Sequence, residues 1–336
     1  MKTITELERE LSSFLSEADG ILKEILERQS NGEKSSILEM SKSSSVLEFM
    51  IASIDNSFIE SLIDRDNLCS AMQKLVISTR NIELIKKLVS KDYLDKELHL
   101  TIAKLGNIDV TTELLERKDL DYKVQKFLVS LGEEALPFIL KLLKRKDFPR
   151  ELQLEVFEIE DDKLNSSLIT RKDLTDEVQV LFAKANNSDF IETLLERKTL
   201  CKEAQKAIFK IGNHDFRKKL LEHDCLHKSM HASFAKVSIG DAEFMNLLLD
   251  KEFLQPDAQQ EIAKNSNPDY LFKLIERDDL DETAEYWIAT SNNEDVVDNL
   301  LNRRTYLRER ALFYIANIYK EKYSQMLKDK FGYCVK

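Results

Sequence analysis

Three histidines raise the first question of chemistry. In "HDCLHKSMH", residues 223–231, His223, His227 and His231 fall four apart, with Cys225 between them and His214 upstream. On one continuous helix, residues four apart share a face, so three imidazoles would converge as ligands for a zinc ion. A second set is cationic: Lys104, Lys184, Lys210, Lys236 and Lys264 hold equivalent positions in a recurring pattern described below. A stripe of ammonium groups would hold an acidic partner. A third lies in "NRRTYLRER", residues 302–310, where Arg303, Arg304, Arg308 and Arg310 could meet phosphates or carboxylates. From Arg303 onward, nine Lys and Arg face three Asp and Glu, a surplus of six, so the rest of a chain of net charge −11 carries about −17.

Several classes of chemistry are excluded at once. The chain has no GxSxG elbow, P-loop, HExxH or dinucleotide fingerprint, so no catalytic residue and no cofactor is assigned. A net charge of −11 disfavours a general nucleic-acid binder, whose footprint is basic. Cys69, Cys201, Cys225 and Cys334 form no CxxC pair, which argues against a disulfide framework and for a reducing, cytoplasmic setting. The opening "MKTITELERELSSFL" carries charge throughout its apolar pattern, unlike a signal peptide, and no run of about eighteen uncharged apolar residues predicts a membrane span.

The elements that must position these residues follow from a repeat. "LLERKDL" at 114–120 returns as "LLERKTL" at 194–200 and "LIERDDL" at 274–280. Taking the basic residue as anchor, its echoes fall at Arg65, Lys91, Arg117, Arg145, Arg171, Arg197, His223, Lys251, Arg277 and Arg303, with a degenerate one at Met40. Successive gaps are 25, 26, 26, 28, 26, 26, 26, 28, 26 and 26 residues. A period this regular marks a repeat array. With only 7 Gly and 4 Pro in 336 residues, tight β-turns and Gly-rich α/β loops are scarce, and the array is predicted to be all-α.

Residues 174–200 show one unit. Thr175 caps a first helix, with Asp176 and Glu177 where the helix dipole favours negative charge. Val178, Phe182 and Ala185 recur on one face, and Lys184 ends the helix. Asn187 and Asp189 open a second helix whose buried stripe is Phe190, Ile191, Leu194 and Leu195, while Leu174 or Leu200 plugs the turn. Gly106, Gly132 and Gly212 mark first-helix ends, and Pro256 a helix start. Helices this short do not persist alone. The expected fold is a curved α-solenoid of about ten 26-residue repeats over residues 37–305. Residues 1–36, with Ile4, Leu7, Leu11, Leu15, Leu22 and Leu26, form an amphipathic helical cap and linker, or a pairing helix. The aromatic, basic stretch 306–336 forms the other cap.

The register revises the candidates. His223 replaces the anchor at a helix end, His227 takes a capping slot and His231 lies in the next helix, so a turn interrupts the trio. All five lysines fall in a last helical turn, where the dipole alone favours cations. Both a dipole role and a binding stripe remain open for them.

The stretch "YKVQKFLVSLGEEALPFILKLLKRKD", residues 122–147, resembles the short HEAT-type repeats of phycobilisome-lyase relatives. Asp119, Val124, Leu131–Gly132, Ala135–Leu136–Pro137 and Leu142–Leu143 carry the likeness, and the 26-residue period is also similar to leucine-rich-variant repeats. The resemblance covers most of residues 40–305 and implies architecture rather than activity. It implies that the lysine-bearing helices line a concave face. Where such repeats place Arg after the Val, this chain has Gln73, Gln125, Gln153, Gln179, Gln205 and Gln259, with His99 and His231 in the same slot. Six residues earlier stand Asn67, Asp119, Asp147, Asp173 and Asp279. A neutral ladder tying turns together is one reading; a polar groove that includes Gln179 and Gln205 is the other. The function expected is that of a non-enzymatic scaffold or regulator holding a protein partner on the concave face. The alternative is a HEAT-like nucleic-acid enzyme, similar to DNA glycosylases, working through the Arg-rich end.

Overall fold

The computed structural model describes residues 68–333 apart from Ser266, together with Ile59, Ile63 and Asp64. The expected N-terminal cap, residues 1–36, lies outside them. Among the described residues there are twenty α-helices and no strand. Contacts divide the chain into two compact units, Met1–Leu168 and Ile169–Lys336.

The first unit carries α1 (Ser70–Ser78), α2 (Ile82–Val89), α3 (Lys96–Ala103), α4 (Ile108–Leu115), α5 (Tyr122–Ser130), α6 (Leu136–Leu143) and α7 (Leu152–Phe157), and α8 (Asp162–Ile169) ends at its edge. The second carries α9 (Asp176–Lys184), α10 (Ser188–Leu195), α11 (Lys202–Ile211), α12 (His214–Glu222), α13 (His231–Val237) and α14 (Ala242–Leu249). It continues with α15 (Pro256–Lys264), α16 (Pro268–Ile275), α17 (Glu282–Ala289), α18 (Glu294–Arg303), α19 (Glu309–Ile318) and α20 (Lys320–Phe331).

Contacts follow one rule in each unit. Odd-numbered helices pack on the even ones that follow them, as in α3 on α4 or α15 on α16. Odd helices also pack on odd (α3 on α5, α15 on α17) and even on even (α2 on α4, α16 on α18). Helices of six to twelve residues thereby gain the burial they lack alone. The 306–331 stretch, part of the expected C-terminal helical cap, forms a further hairpin, α19 packed on α20. Its break comes at Tyr319, whose φ of −113° and ψ of 33° leave the helical region.

Local chemistry accounts for the boundaries. Asn81, Asn187, Asn213, Asn267 and Asn293 each accept backbone N–H bonds at the start of an even helix. Asp95, Asp121, Thr175, Cys201 and Asp281 do so for odd helices. These caps satisfy amide donors that the first turn leaves free. In α9 the buried residues are Val178, Gln179, Phe182 and Ala183. Ala185, expected on that face, is exposed, because the helix stops at Lys184 and Ala185 falls beyond the packed turn. Phe190 is only half-buried and packs edge-on against Phe182 with centroids 5.0 Å apart.

The ends of first helices share a left-handed residue. Gly106, Gly132, Gly212 and Gly240 have φ between 59° and 88°, and Arg80, Glu160, Asn186 and Asn292 adopt the same region with side chains attached. A left-handed L-residue costs about 1–2 kcal/mol, partly offset by the entropy glycine loses on folding. Glu160→Gly is expected to raise the unfolding free energy by about 0.5–1 kcal/mol in urea titration. Gly132→Ala, which meets no atom within 4 Å, should lower it by about 1–2 kcal/mol through backbone strain alone.

Candidate interaction surface

Two ladders hold neighbouring hairpins together, and between them they use up much of the polar chemistry in the repeat. The first is glutamine. Gln205 is 1% exposed. Its Nε2 donates to Leu200 O and Cys225 O at 2.9 Å, and its Oε1 accepts from His227 N at 2.8 Å. Gln259 does the same with Leu254 O, Asp279 O and Asp281 N. Gln73 and Gln179 likewise bridge their own turn and the next hairpin's first cap. The bonds run to backbone, with one further contact from Gln205 Nε2 to Cys225 Sγ, and both Gln179 and Gln205 are buried away from any solvent groove. Gln125 shows the converse: its Oε1 has no partner among the described residues. One 28-residue gap later, the residue in the donor's position is Pro149, which has no amide hydrogen.

The second ladder is the anchor residue itself. Arg277 donates from Nε and Nη2 to the Asp279 carboxylate at 2.7 and 2.9 Å. Its remaining hydrogens reach Leu249 O, Lys251 O and Glu252 O, at the end of α14. Arg117 repeats this on Asp119 and on Val89 O, Lys91 O and Asp92 O, at the end of α2. Each guanidinium thus caps the free carbonyls of the preceding second helix, where the dipole is negative. The aspartates six residues before the glutamine slot serve these arginines rather than the glutamines. Burial pushes the Asp119 and Asp279 carboxyls up, but the hydrogen bonds and charge of Arg117 and Arg277 outweigh it and hold both below the usual range.

At the C-terminal end the clamp shifts by one residue. Arg304, not Arg303, donates to Ile275 O and Arg277 O, and Lys330 then takes the role on Leu301 O and Asn302 O. The four arginines expected as a basic end therefore do different work. Arg304 is turned into the structure, Arg308 lies 3.6 Å from Glu282, and Arg303 and Arg310 are exposed.

The histidines also separate into individual roles. His223 stands in for the arginine: its Nδ1 accepts from Cys225 N, so Nε2 carries the hydrogen donated to Arg197 O at 2.7 Å. His227 caps the short 3₁₀ turn Lys228–Met230 through Ser229 N. His231 replaces a ladder glutamine and accepts from Gln255 N at 3.4 Å. Among the described residues, no three His, Cys, Asp or Glu are grouped to hold a metal.

Burial lowers the His231 pKa to about 4, with Lys251 and Arg277 adding to the effect, and burial lowers that of His99 as well. The folded chain therefore binds fewer protons at His231 than the unfolded chain, whose value is near 6.5. Stability is complete above about pH 6.5 and falls as pH drops toward 4, by on the order of 2–3 kcal/mol. Denaturant midpoints measured from pH 7 to pH 4 should show this slope, and His231→Gln should flatten most of it.

Several lysines on second helices pair with acids of a neighbouring hairpin: Lys86 with Asp109, Lys141 with Glu116, Lys219 with Glu192, and Lys322 with Glu294 and Asp298. Lys218 does the same with Glu243. Lys104, Lys184, Lys210 and Lys236 are exposed and make no ion pair among the described residues. Lys264 pairs within its own helix with Glu261 and lies 5.5 Å from the Trp287 ring centroid. Beyond it, Tyr286, Glu309, Arg310, Phe313 and Tyr314 line a cleft of about 540 Å³. The Tyr286 ring sits edge-on to Trp287 at 5.5 Å and to Tyr314 at 6.3 Å, and Phe313 is 61% exposed.

Sequence reasoning missed the arginine clamp and this cleft. The signal for the first was the aspartate two residues after the anchor; for the second, Phe313 and Tyr314 follow Tyr286 and Trp287 by 27 residues, one more than the 26-residue period.

Fold and surface together define an all-helical protein of packed neighbouring hairpins, with Lys104, Lys184, Lys210 and Lys236 exposed at the ends of first helices. Comparison with protein-family models, with curated proteins and with solved structures gives no match. Among the described residues, no helix is long and apolar enough to cross a membrane.

Proposed function

We propose that this chain is a non-enzymatic scaffold or regulator: a curved α-solenoid of about ten short HEAT-like repeats that binds a protein partner along the exposed face of its first helices. One observation carries the reading. Lys86, Lys141, Lys218, Lys219 and Lys322 on second helices pair with acids of a neighbouring hairpin, whereas Lys184, Lys210 and Lys236 recur at one position on successive first helices, exposed and without an ion pair among the described residues. The dipole accounts for a cation at each helix end but not for its lack of a partner. An acidic protein surface would supply the missing charge, steering association and fixing register.

The test is a pull-down from the native source, followed by titration of the partner recovered. The triple variant Lys184→Glu, Lys210→Glu, Lys236→Glu should weaken partner binding at least about tenfold, and more at low salt, with little change in melting temperature. Unchanged affinity would rule out this face. Tight, salt-dependent retention on DNA with no protein partner would favour the nucleic-acid enzyme instead.

A further inference from the structure

We propose that the α17–α19 cleft, with the lysines leading to it, is a docking site for an extended acidic peptide segment held by one apolar anchor residue. This rests on the reading that the first-helix face binds protein, and adds what kind of segment it takes and in which direction.

The cleft has the character of an anchor pocket. Its volume of about 540 Å³ lies within the range of small-ligand sites, and its walls are aromatic with a single cation and a single acid, Arg310 and Glu309. The edge-on contacts of Tyr286 with Trp287 and Tyr314 hold those walls in place before anything binds. Phe313, 61% exposed, offers apolar area that a bound side chain would cover.

The lysines supply the rest by charge complementarity. Lys264 bridges to the cleft through Trp287, and Lys236, Lys210 and Lys184 follow on successive first helices. These helices touch in order: α9 packs on α11, α13 on α15 and α15 on α17, while Phe209 of α11 meets Phe234 of α13 at 4.9 Å. Packed helices lie about 8–10 Å apart, and an extended chain advances about 3.3 Å per residue. One lysine therefore meets every third residue of an extended segment. The matching ligand carries Asp or Glu at every third position and an apolar residue at the cleft end. A polyphosphate strand fits less well, because it carries no apolar group to fill the aromatic cleft.

Trp287 is the one tryptophan of the chain and packs against Tyr286 of the cleft wall, so its emission reports on changes there. The full chain is titrated with a fluorescein-labelled synthetic peptide bearing Asp at every third residue and a terminal Phe. Companion ligands are the same peptide with Phe replaced by Ala, one with Asp at every second residue, and oligo-dT. The expected result is saturable binding with a shift in Trp287 emission, weakened about tenfold by the Ala peptide, by altered spacing, and by Phe313→Ala. Phe313 is exposed, and an unchanged melting temperature for this variant confirms an intact fold. No saturable binding, binding without a Trp287 response, or preference for oligo-dT overturns the inference. If Lys→Glu reversal weakens the natural partner while Phe313→Ala leaves it unaffected, the cleft falls and the protein-binding face stands. If neither variant affects the partner, both fall.

Discussion

Arg277→Ala is expected to cost about 3–5 kcal/mol of unfolding free energy, the largest loss from any single side chain considered. The arginine is 10% exposed and its aspartate 23%. Truncation removes two bonds to Asp279 and three to the carbonyls of Leu249, Lys251 and Glu252. It leaves a half-buried carboxylate without its cation and the end of α14 without its cap. Lysine keeps the charge but not the fork, so Arg277→Lys should recover less than half. Arg303→Ala is the control: exposed and displaced from the clamp by one residue, it should change stability by less than about 0.5 kcal/mol. Urea denaturation of the three variants, monitored by far-UV circular dichroism, decides the matter. Equal effects of Arg277→Ala and Arg303→Ala would remove the clamp from the account. The clamp also has a pH signature. Because Asp119 and Asp279 have folded pKa values below their unfolded ones, their contribution is present above the ordinary carboxylate range. It is lost as pH falls through the folded values.

Gln259→Leu should cost about 2–4 kcal/mol, although the side-chain volume is nearly conserved. Leucine leaves the Asp281 amide and the Leu254 and Asp279 carbonyls buried without partners. Gln125→Leu offers the internal comparison. Its Oε1 already lacks a donor among the described residues, so the same substitution should cost distinctly less. Glu285 occupies this slot in α17, with Oε2 unpartnered among the described residues and its pKa raised by burial. Its penalty grows as pH rises above the ordinary glutamate range, so Glu285→Gln should stabilise, and more at pH 8 than at pH 5. Thermal melts at the two pH values test it.

Much of the helical pattern was legible because each hairpin carries its own local instructions. Asn and Asp caps, apolar residues at helical spacing, and left-handed glycines act within about ten residues, and all three recur at the anchor interval. Thr175, Asn187 and Gly106 stand where their types predict. Ala185 was misplaced because a stop of one or two residues decides which side chain is the last to be packed.

The destination of polar side chains was not legible, since a buried ladder and a binding groove have the same spacing. Gln205, Arg277 and Lys210 all recur with the repeat. Only packing separates the glutamine spent on backbone, the arginine turned onto carbonyls, and the lysine left in solvent.

By itself the sequence determined that this protein is built of short capped helices in a regular register, because capping and periodicity are properties of neighbouring residues. The tertiary structure decided which recurring polar groups are internal rungs and which face outward. That choice depends on how helices 26 residues apart in sequence come to lie side by side, and no local pattern encodes it.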